Sequence, residues 1–184
     1  MLHLYKAKVL SYVEYRTAAI YHASVSLLQK VDHVQERFLE DIGIDAINAL
    51  LYFNLAPLSL RRDIAMLGLI HRTVLGQGPE HFKQWFYRED VANRTTLRFK
   101  RDRLRLHEYV TGQQLAFVKR SALGLVSIYN MLPTEIVEAN SVSCFQGLLQ
   151  DLAKDCASRS HPLWGSIYST RHKLHTHPIR AFSY

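Results

Sequence analysis

Between Leu27 and Ile42 the apolar residues Leu27, Val31, Val34, Phe38 and Ile42 stand at intervals of four, three, four and four. That rhythm places one apolar stripe along an α-helix. Gln29, Lys30, Asp32, His33, Glu36 and Arg37 fill its polar side. Ser24 or Ser26 supplies the N-cap, where a side-chain oxygen accepts from a first-turn amide. Gly43 ends the helix, because glycine takes the left-handed conformation there without a steric penalty. Upstream, Leu4, Ala7, Leu10, Val13, Ala18 and Tyr21 predict a first helix from about Leu2 to Tyr21, buried on more than one side. Downstream, a short helix is expected from Asp45 to about Phe53, followed by a break at Pro57. Ser59 then caps a helix whose stripe is Leu60, Ile64, Leu67, Ile70 and Val74, stopped by Gly76-Gln77-Gly78-Pro79. A short amphipathic helix around Glu80 to Phe86 turns Phe82 and Trp85 inward.

From Tyr87 to about His107 apolar residues thin out and arginines dominate, which predicts a long loop. A second small unit follows over about 108–155. It holds a helix from Phe117 to Ile128, although Phe117-Val118 is equally compatible with a short strand. Leu132-Pro133 ends that part. A last helix is capped by Ser141, with the stripe Val142, Phe145, Leu149 and Leu152. Cys144 is expected to pack into the core beside it. The remaining residues, 156–184, lack sustained periodicity and are expected to form a poorly ordered tail. The predicted fold is mainly α: a helical bundle over 1–87, a basic loop over 88–107, a small helical unit over 108–155, and the tail.

With 48% hydrophobic and 21% charged residues, the 184-residue chain has the composition of a globular protein with a sizeable core. No apolar run approaches the roughly 18 residues that cross a bilayer, and no membrane partner is expected. Cys144 and Cys156 are the only cysteines, too few for a disulfide framework. A reducing intracellular compartment, cytoplasmic or nuclear, is the corresponding expectation. The net charge of +7 is uneven: 88–107 and 156–184 carry +4 each, 1–87 carries +1 and 108–155 carries −2. Concentrated positive charge favours a local polyanion contact, against two solvated basic loops as the alternative.

Several weak elements occur in one order: Val13-Glu14-Tyr15, then Val34-Gln35-Glu36-Arg37-Phe38, then Leu58 with Arg61-Arg62-Asp63. Tyr129-Asn130-Met131-Leu132-Pro133 and Ser141-Val142-Ser143-Cys144-Phe145 complete the series. Across about residues 4–155 this order resembles the thumb and post-thumb region of non-LTR (LINE-type) retrotransposon reverse transcriptases. Tyr129 stands where that family favours tryptophan, and Ile20-Tyr21 replaces a tryptophan often found there. The resemblance implies a thumb-like bundle closing on an RNA–DNA duplex, fused in the parent polymerase to an upstream catalytic palm. The palm's paired aspartates are missing, since the chain holds no Asp-Asp pair. Independent polymerase activity is not expected. Asp32, Asp41, Asp45 and Asp63 read as surface or helix-terminal carboxylates.

The main candidate for nucleic-acid contact is the run Arg94, Arg98, Lys100, Arg101, Arg103 and Arg105, interleaved with Leu97, Phe99 and Leu104. Guanidinium forks match phosphate oxygens bidentately, so such binding is backbone-directed to RNA or an RNA–DNA duplex. Arg61 and Arg62 open a helix against its macrodipole, which asks for a counter-charge: a local carboxylate such as Asp63 or Glu80, or a phosphate. His172, His175 and His177, with His161 and Cys156, have zinc-ligating side chains. They lack any Cys-x-x-Cys pair, and no metal or other cofactor is expected. The alternative function is a stand-alone helical module, docking a protein through the Leu27–Ile42 or Leu60–Val74 helix, or a retroelement relic without a selected role.

Overall fold

The computed structural model describes residues 1–88, 104–110 and 116–182. The protein is mainly α-helical. The N-terminal stretch runs through α1 (Leu2–Leu4), a π-helical segment (Tyr5–Leu10) and α2 (Ser11–Glu14). It breaks at Tyr15 and Arg16 before α3 (Thr17–Ile20). Then come α4 (Val25–Asp41), α5 (Ala46–Phe53) and α6 (Leu58–Val74). The second half holds α7 (Ala116–Lys119), α8 (Leu125–Met131), α9 (Thr134–Val137) and α10 (Val142–Ser158). Among the described residues the sole extended pairing is an isolated antiparallel bridge between Arg88 and Leu106.

Local chemistry sets several boundaries where the periodicity predicts them. Asp45 caps α5 by accepting from the amides of Ile47 and Asn48 at 3.0 and 2.9 Å. Ser141 caps α10 by accepting from the Cys144 amide at 3.2 Å. Gly43 follows α4 with φ +68°, the left-handed position that glycine fills at no steric cost. The α6 boundary differs: Pro57 is the N-cap residue, and Ser59 lies inside the first turn. The helix expected over Phe117–Ile128 is split by a turn, where an added Cβ on Gly124 would stand 1.8 Å from the Lys119 carbonyl oxygen.

α6 is the central element, with α10 its principal neighbour and α3, α4 and α8 also against it. Leu60, Ile64, Leu67 and Ile70 are buried as the stripe predicts, but so are Arg62, Asp63, Met66, His71 and Thr73. Of the residues in α6 only Arg72 is exposed. The main core cluster joins Leu60, Leu67 and Ile70 to Ile128, Phe145, Leu149 and Ile179, so 1–87, 108–155 and 156–184 share one interior. A smaller cluster holds Tyr5, Leu10, Leu39, Ala49, Leu55 and Leu58.

Three expectations about faces are corrected. In α4 and at its C-cap, Val31, Phe38 and Ile42 pack against the smaller cluster as the stripe predicts, but the buried residues are Leu28, Gln35 and Leu39, while Leu27 and Val34 are exposed. The stripe is rotated because Gln35 is tied inward: its Nε2 donates to the Ala56 carbonyl at 2.8 Å, and Tyr5 Oη donates to its Oε1 at 3.5 Å. The N-terminal helical stretch is not buried on several sides, since Leu4, Tyr12 and Tyr15 face solvent. Trp85 and Cys144 are exposed too, and Phe86 and Cys156 take the interior places. The tail carries nothing longer than short 3-10 turns (Trp164–Ser166, Leu174–Thr176, Pro178–Phe182), as its missing periodicity implies. Even so, Ile167, Tyr168, His177 and Ile179 are buried, and Tyr168 Oη donates to the Leu149 carbonyl at 2.8 Å.

Candidate functional site

Two places concentrate polar chemistry. The first is where the basic segment leaves and rejoins the body. Arg88 bridges Leu106, and the His107 amide donates to the Tyr87 carbonyl at 3.1 Å. Asn130, at the end of α8, clamps the returning strand. Its Oδ1 accepts from the Leu106 amide at 2.8 Å, and its Nδ2 donates to the Leu106 carbonyl at 2.9 Å and to Glu108 Oε1 at 2.8 Å. Leu106 is fully buried and acts as the anchor.

Four rings gather at this junction. Tyr87 stacks on His107 with centroids 5.5 Å apart, Tyr109 meets His107 edge-on at 4.7 Å, and Trp85 meets Tyr109 at 5.3 Å. Tyr109 Oη donates to the Gln84 carbonyl at 2.9 Å, which fixes the cluster to the body. Trp85 and Tyr87 are more than two-fifths exposed. Arg105 lies here, with Nη2 at 3.5 Å from Glu108 Oε1 and its side chain about half exposed. Arg94, Arg98, Lys100, Arg101 and Arg103 lie outside the described residues.

The second place is a cavity of about 270 Å³ between the end of α3, the start of α6 and the tail. Arg62, Asp63 and Ser59 line it from α6, Tyr21 from the end of α3, and Arg120 from just after α7. The tail supplies Ser166, Ser169, Thr170, Arg171 and His172. Arg62 meets Asp32 bidentately at 2.7 and 2.9 Å, with only 7% of its side chain exposed. Tyr21 Oη donates to Asp63 Oδ1 at 2.7 Å. Burial pushes the Asp63 carboxyl up to about 6, although the Tyr21 hydroxyl and the Arg62 and Arg171 guanidiniums oppose the rise. Arg120 Nε is buried with no hydrogen-bond partner among the described residues.

No family model, curated protein or solved structure matches this chain.

Arg61 and Arg62 find their counter-charges in carboxylates far away in sequence. Arg61 pairs with Glu14 and Arg62 with Asp32, rather than with Asp63 or Glu80. Arg62 still faces the cavity, whereas Arg61 also donates to the Asn54 carbonyl at 3.3 Å. His172 and His177 meet edge-on at 5.4 Å. Each spends a ring nitrogen on a backbone carbonyl, of Ser166 and of Ser169 respectively. Among the described residues no three histidine, cysteine or acidic side chains gather as metal ligands do. Residue patterns did not reveal the aromatic cluster, the Asn130 clamp, Arg120 or the hydroxyls of the tail. The tail's net +4 and the counter-charge that Arg62 asks for at the start of its helix were the signals that pointed toward the cavity.

A third polar group belongs to the interior. His71 is fully buried and stacks on Phe145 with centroids 4.1 Å apart. Its Nε2 donates to the Ala139 carbonyl at 2.9 Å, so its Nδ1 accepts from Tyr129 Oη at 2.9 Å. Burial lowers its pKa and keeps the ring neutral. This arrangement positions core helices and exposes nothing to a substrate.

Proposed function

We propose that the chain is the thumb-type helical part of a retroelement reverse transcriptase, without polymerase chemistry of its own, and that it grips RNA or an RNA–DNA duplex by the backbone. Support for the family reading comes from the residues that carry the resemblance, because they are structural: some meet one another, as Tyr129 meets Phe145, and others fix neighbouring backbone. Glu14 pairs with Arg61, and Gln35 binds the Ala56 carbonyl. Tyr129 and Phe145 flank His71, and Asn130 clamps Leu106. Weak motifs that meet in space are the framework of a fold, which is the level at which the resemblance operates.

One observation carries the nucleic-acid reading: both ends of the basic segment are pinned beside exposed aromatic rings. Cationic side chains that follow a phosphate backbone, next to rings on which bases stack, are the working parts of single-strand and hybrid binding surfaces. Among the described residues, aspartates that could serve a two-metal mechanism have other partners: Asp32 holds Arg62, Asp45 caps α5, and Asp63 accepts from Tyr21. Fluorescence anisotropy with single-stranded RNA and an RNA–DNA hybrid, over a range of salt, tests the reading. Replacing Arg98, Arg101, Arg103 and Arg105 with alanine is expected to weaken binding and to lower the log–log salt slope by about 3 to 4. Equal affinity and an equal slope in this variant would refute it.

A second reading, a protein-docking module, is favoured by the exposed Leu4, Tyr12 and Tyr15 on the N-terminal helical stretch and by Leu27 and Val34 on α4. Association through those side chains is only weakly salt-dependent, because apolar burial is not screened by ions.

A further inference from the structure

The second cavity has features that the nucleic-acid reading does not use. Three guanidiniums line it, from Arg62, Arg120 and Arg171. They come from three separate stretches of the chain. Arg62 is neutralised by Asp32, and the remaining acid, Asp63, is occupied by the Tyr21 hydroxyl. Arg120 and Arg171 thus supply positive charge that Asp63 alone offsets when ionised.

Arg120 adds a guanidinium to this wall, and its Nε has no partner among the described residues. A buried donor left without an acceptor costs about 1–3 kcal/mol, and such groups are rare in folded proteins without a ligand or water to receive them. Arg120, whose Nε is itself closed off from water, lines a space of about 270 Å³, room for several waters at about 30 Å³ each. That is larger than a bare tetrahedral anion needs and fits an anion with a small group attached. Ser59, Ser169 and Thr170 border the same space with hydroxyls that can donate. Ser59 also places it at the first turn of the 17-residue α6, the positive end of that helix's dipole.

We propose that this cavity binds a phosphomonoester, with Arg120 and Arg171 on its terminal oxygens and Arg62 held on Asp32 behind them. Such a group offers three strong acceptor oxygens and a charge near −2. Planar guanidinium forks match those oxygens. A carboxylate ligand offers fewer acceptors than these donors require. Ser166 and His172 adjoin the space with Oγ 3.0 Å from Nε2, but that nitrogen is also spent on the Ser166 carbonyl, so the site is one that holds its ligand. The charge facing Asp63 comes from Tyr21 on α3, Asp32 on α4, Arg62 on α6, and Arg120, Arg171 and His172 across the cavity. Asp63 is the carboxylate on the cavity wall that repels the ligand, so removing its charge by Asp63→Asn tightens binding at pH 7.5, where the phosphomonoester keeps its charge near −2.

The proposal stands apart from the basic segment, and isothermal titration calorimetry on the full chain tests it. Inorganic phosphate and adenosine 5′-monophosphate are titrated at pH 7.5 into wild type, Arg120→Gln, Arg171→Gln and Asp63→Asn. The expected result is one saturable site per chain, weakened at least tenfold in Arg120→Gln and Arg171→Gln and tightened severalfold at pH 7.5 in Asp63→Asn. Arg171 is exposed, so its variant keeps the test valid should Arg120→Gln fail to fold. Absence of saturable binding of either probe, or equal binding in wild type and both arginine variants, overturns the proposal. The source of the group is read from RNA carrying a 5′-phosphate or a 5′-hydroxyl. A preference for the 5′-phosphate that Arg120→Gln or Arg171→Gln abolishes identifies a nucleic-acid end. Phosphate and nucleotide binding without that preference identifies a small-molecule ligand. In both cases salt-dependent binding of 5′-hydroxyl RNA is unchanged in the Arg171→Gln variant, which separates this site from the basic segment.

Discussion

Asp63→Asn isolates the electrostatic cost built into the first turns of α6. Asp63 is 9% exposed and accepts from Tyr21 Oη at 2.7 Å. An asparagine keeps a carbonyl oxygen for that hydroxyl but cannot ionise. The Asp63 carboxyl rises from 3.8 to about 6 on folding, chiefly because burial disfavours the charged form. Between those two values the folded chain binds the proton more tightly than the unfolded chain. Asp63 therefore favours the native state fully below pH 3.8, and this contribution is lost as the pH rises through about 6. At about 1.36 kcal/mol per unit, the rise corresponds to about 3 kcal/mol. Urea denaturation of wild type and variant at pH 4, 6 and 7.5 measures it. The stability difference should shift in favour of the variant by about 2.5 kcal/mol between pH 4 and 7.5, the rest being lost already by pH 4. That moves the relative midpoints by about 1 M or more at an m-value of about 1–3 kcal/mol per M. Any constant cost of the amide, including its N–H groups near Arg62, cancels from this shift, as do the histidine titrations common to both proteins. A stability difference that stays constant with pH, or moves toward the wild type as pH rises, would refute the reasoning.

Two further outcomes test the interior. His71→Leu removes a ring that burial keeps neutral, and it leaves Tyr129 Oη and the Ala139 carbonyl without their partner. Thermal melts should show a loss of about 2–3 kcal/mol at pH 7.5. Because the native His71 pKa lies below 6.5, its contribution is complete above that pH and falls away on acidification, so the variant's acid limb should be flatter than the wild type's. An unchanged acid limb would count against the assignment. Gly124→Ala brings a Cβ to 1.8 Å from the Lys119 carbonyl oxygen, which is backbone and cannot swing aside. The turn between α7 and α8 must shift, at about 2 kcal/mol. For a chain of this size that lowers Tm by about 4–8 °C; a Tm within 1 °C of wild type would show that the turn is compliant.

Much of the secondary structure was legible in residue order because its causes are local. Asp45, Gly43 and Ser141 act on amides or dihedrals within a few positions of themselves. The spacing of Leu60, Ile64, Leu67 and Ile70 is a property of one helix, and those four residues are buried as the spacing implies. The faces of α4 were less legible. Leu27 and Val34 fit a helical stripe as well as Leu28 and Leu39 do, and the choice fell to Gln35, whose partners Tyr5 and Ala56 are 30 and 21 residues away.

What the sequence by itself determined, then, is a mainly helical chain, most of its helix ends, and two concentrations of positive charge. The tertiary structure alone decided which of those charges are neutralised. Arg61 and Arg62 read alike in sequence, yet one pairs with Glu14 and the other with Asp32 behind a cavity. It also decided that a tail without periodicity would contribute Ser166, Ser169 and Arg171 to that cavity, opposite Tyr21 and Asp63. The physical reason is range. Periodicity and capping act over a few residues, whereas an ion pair, a buried donor or a cavity forms only after chain closure brings distant segments within a few ångströms.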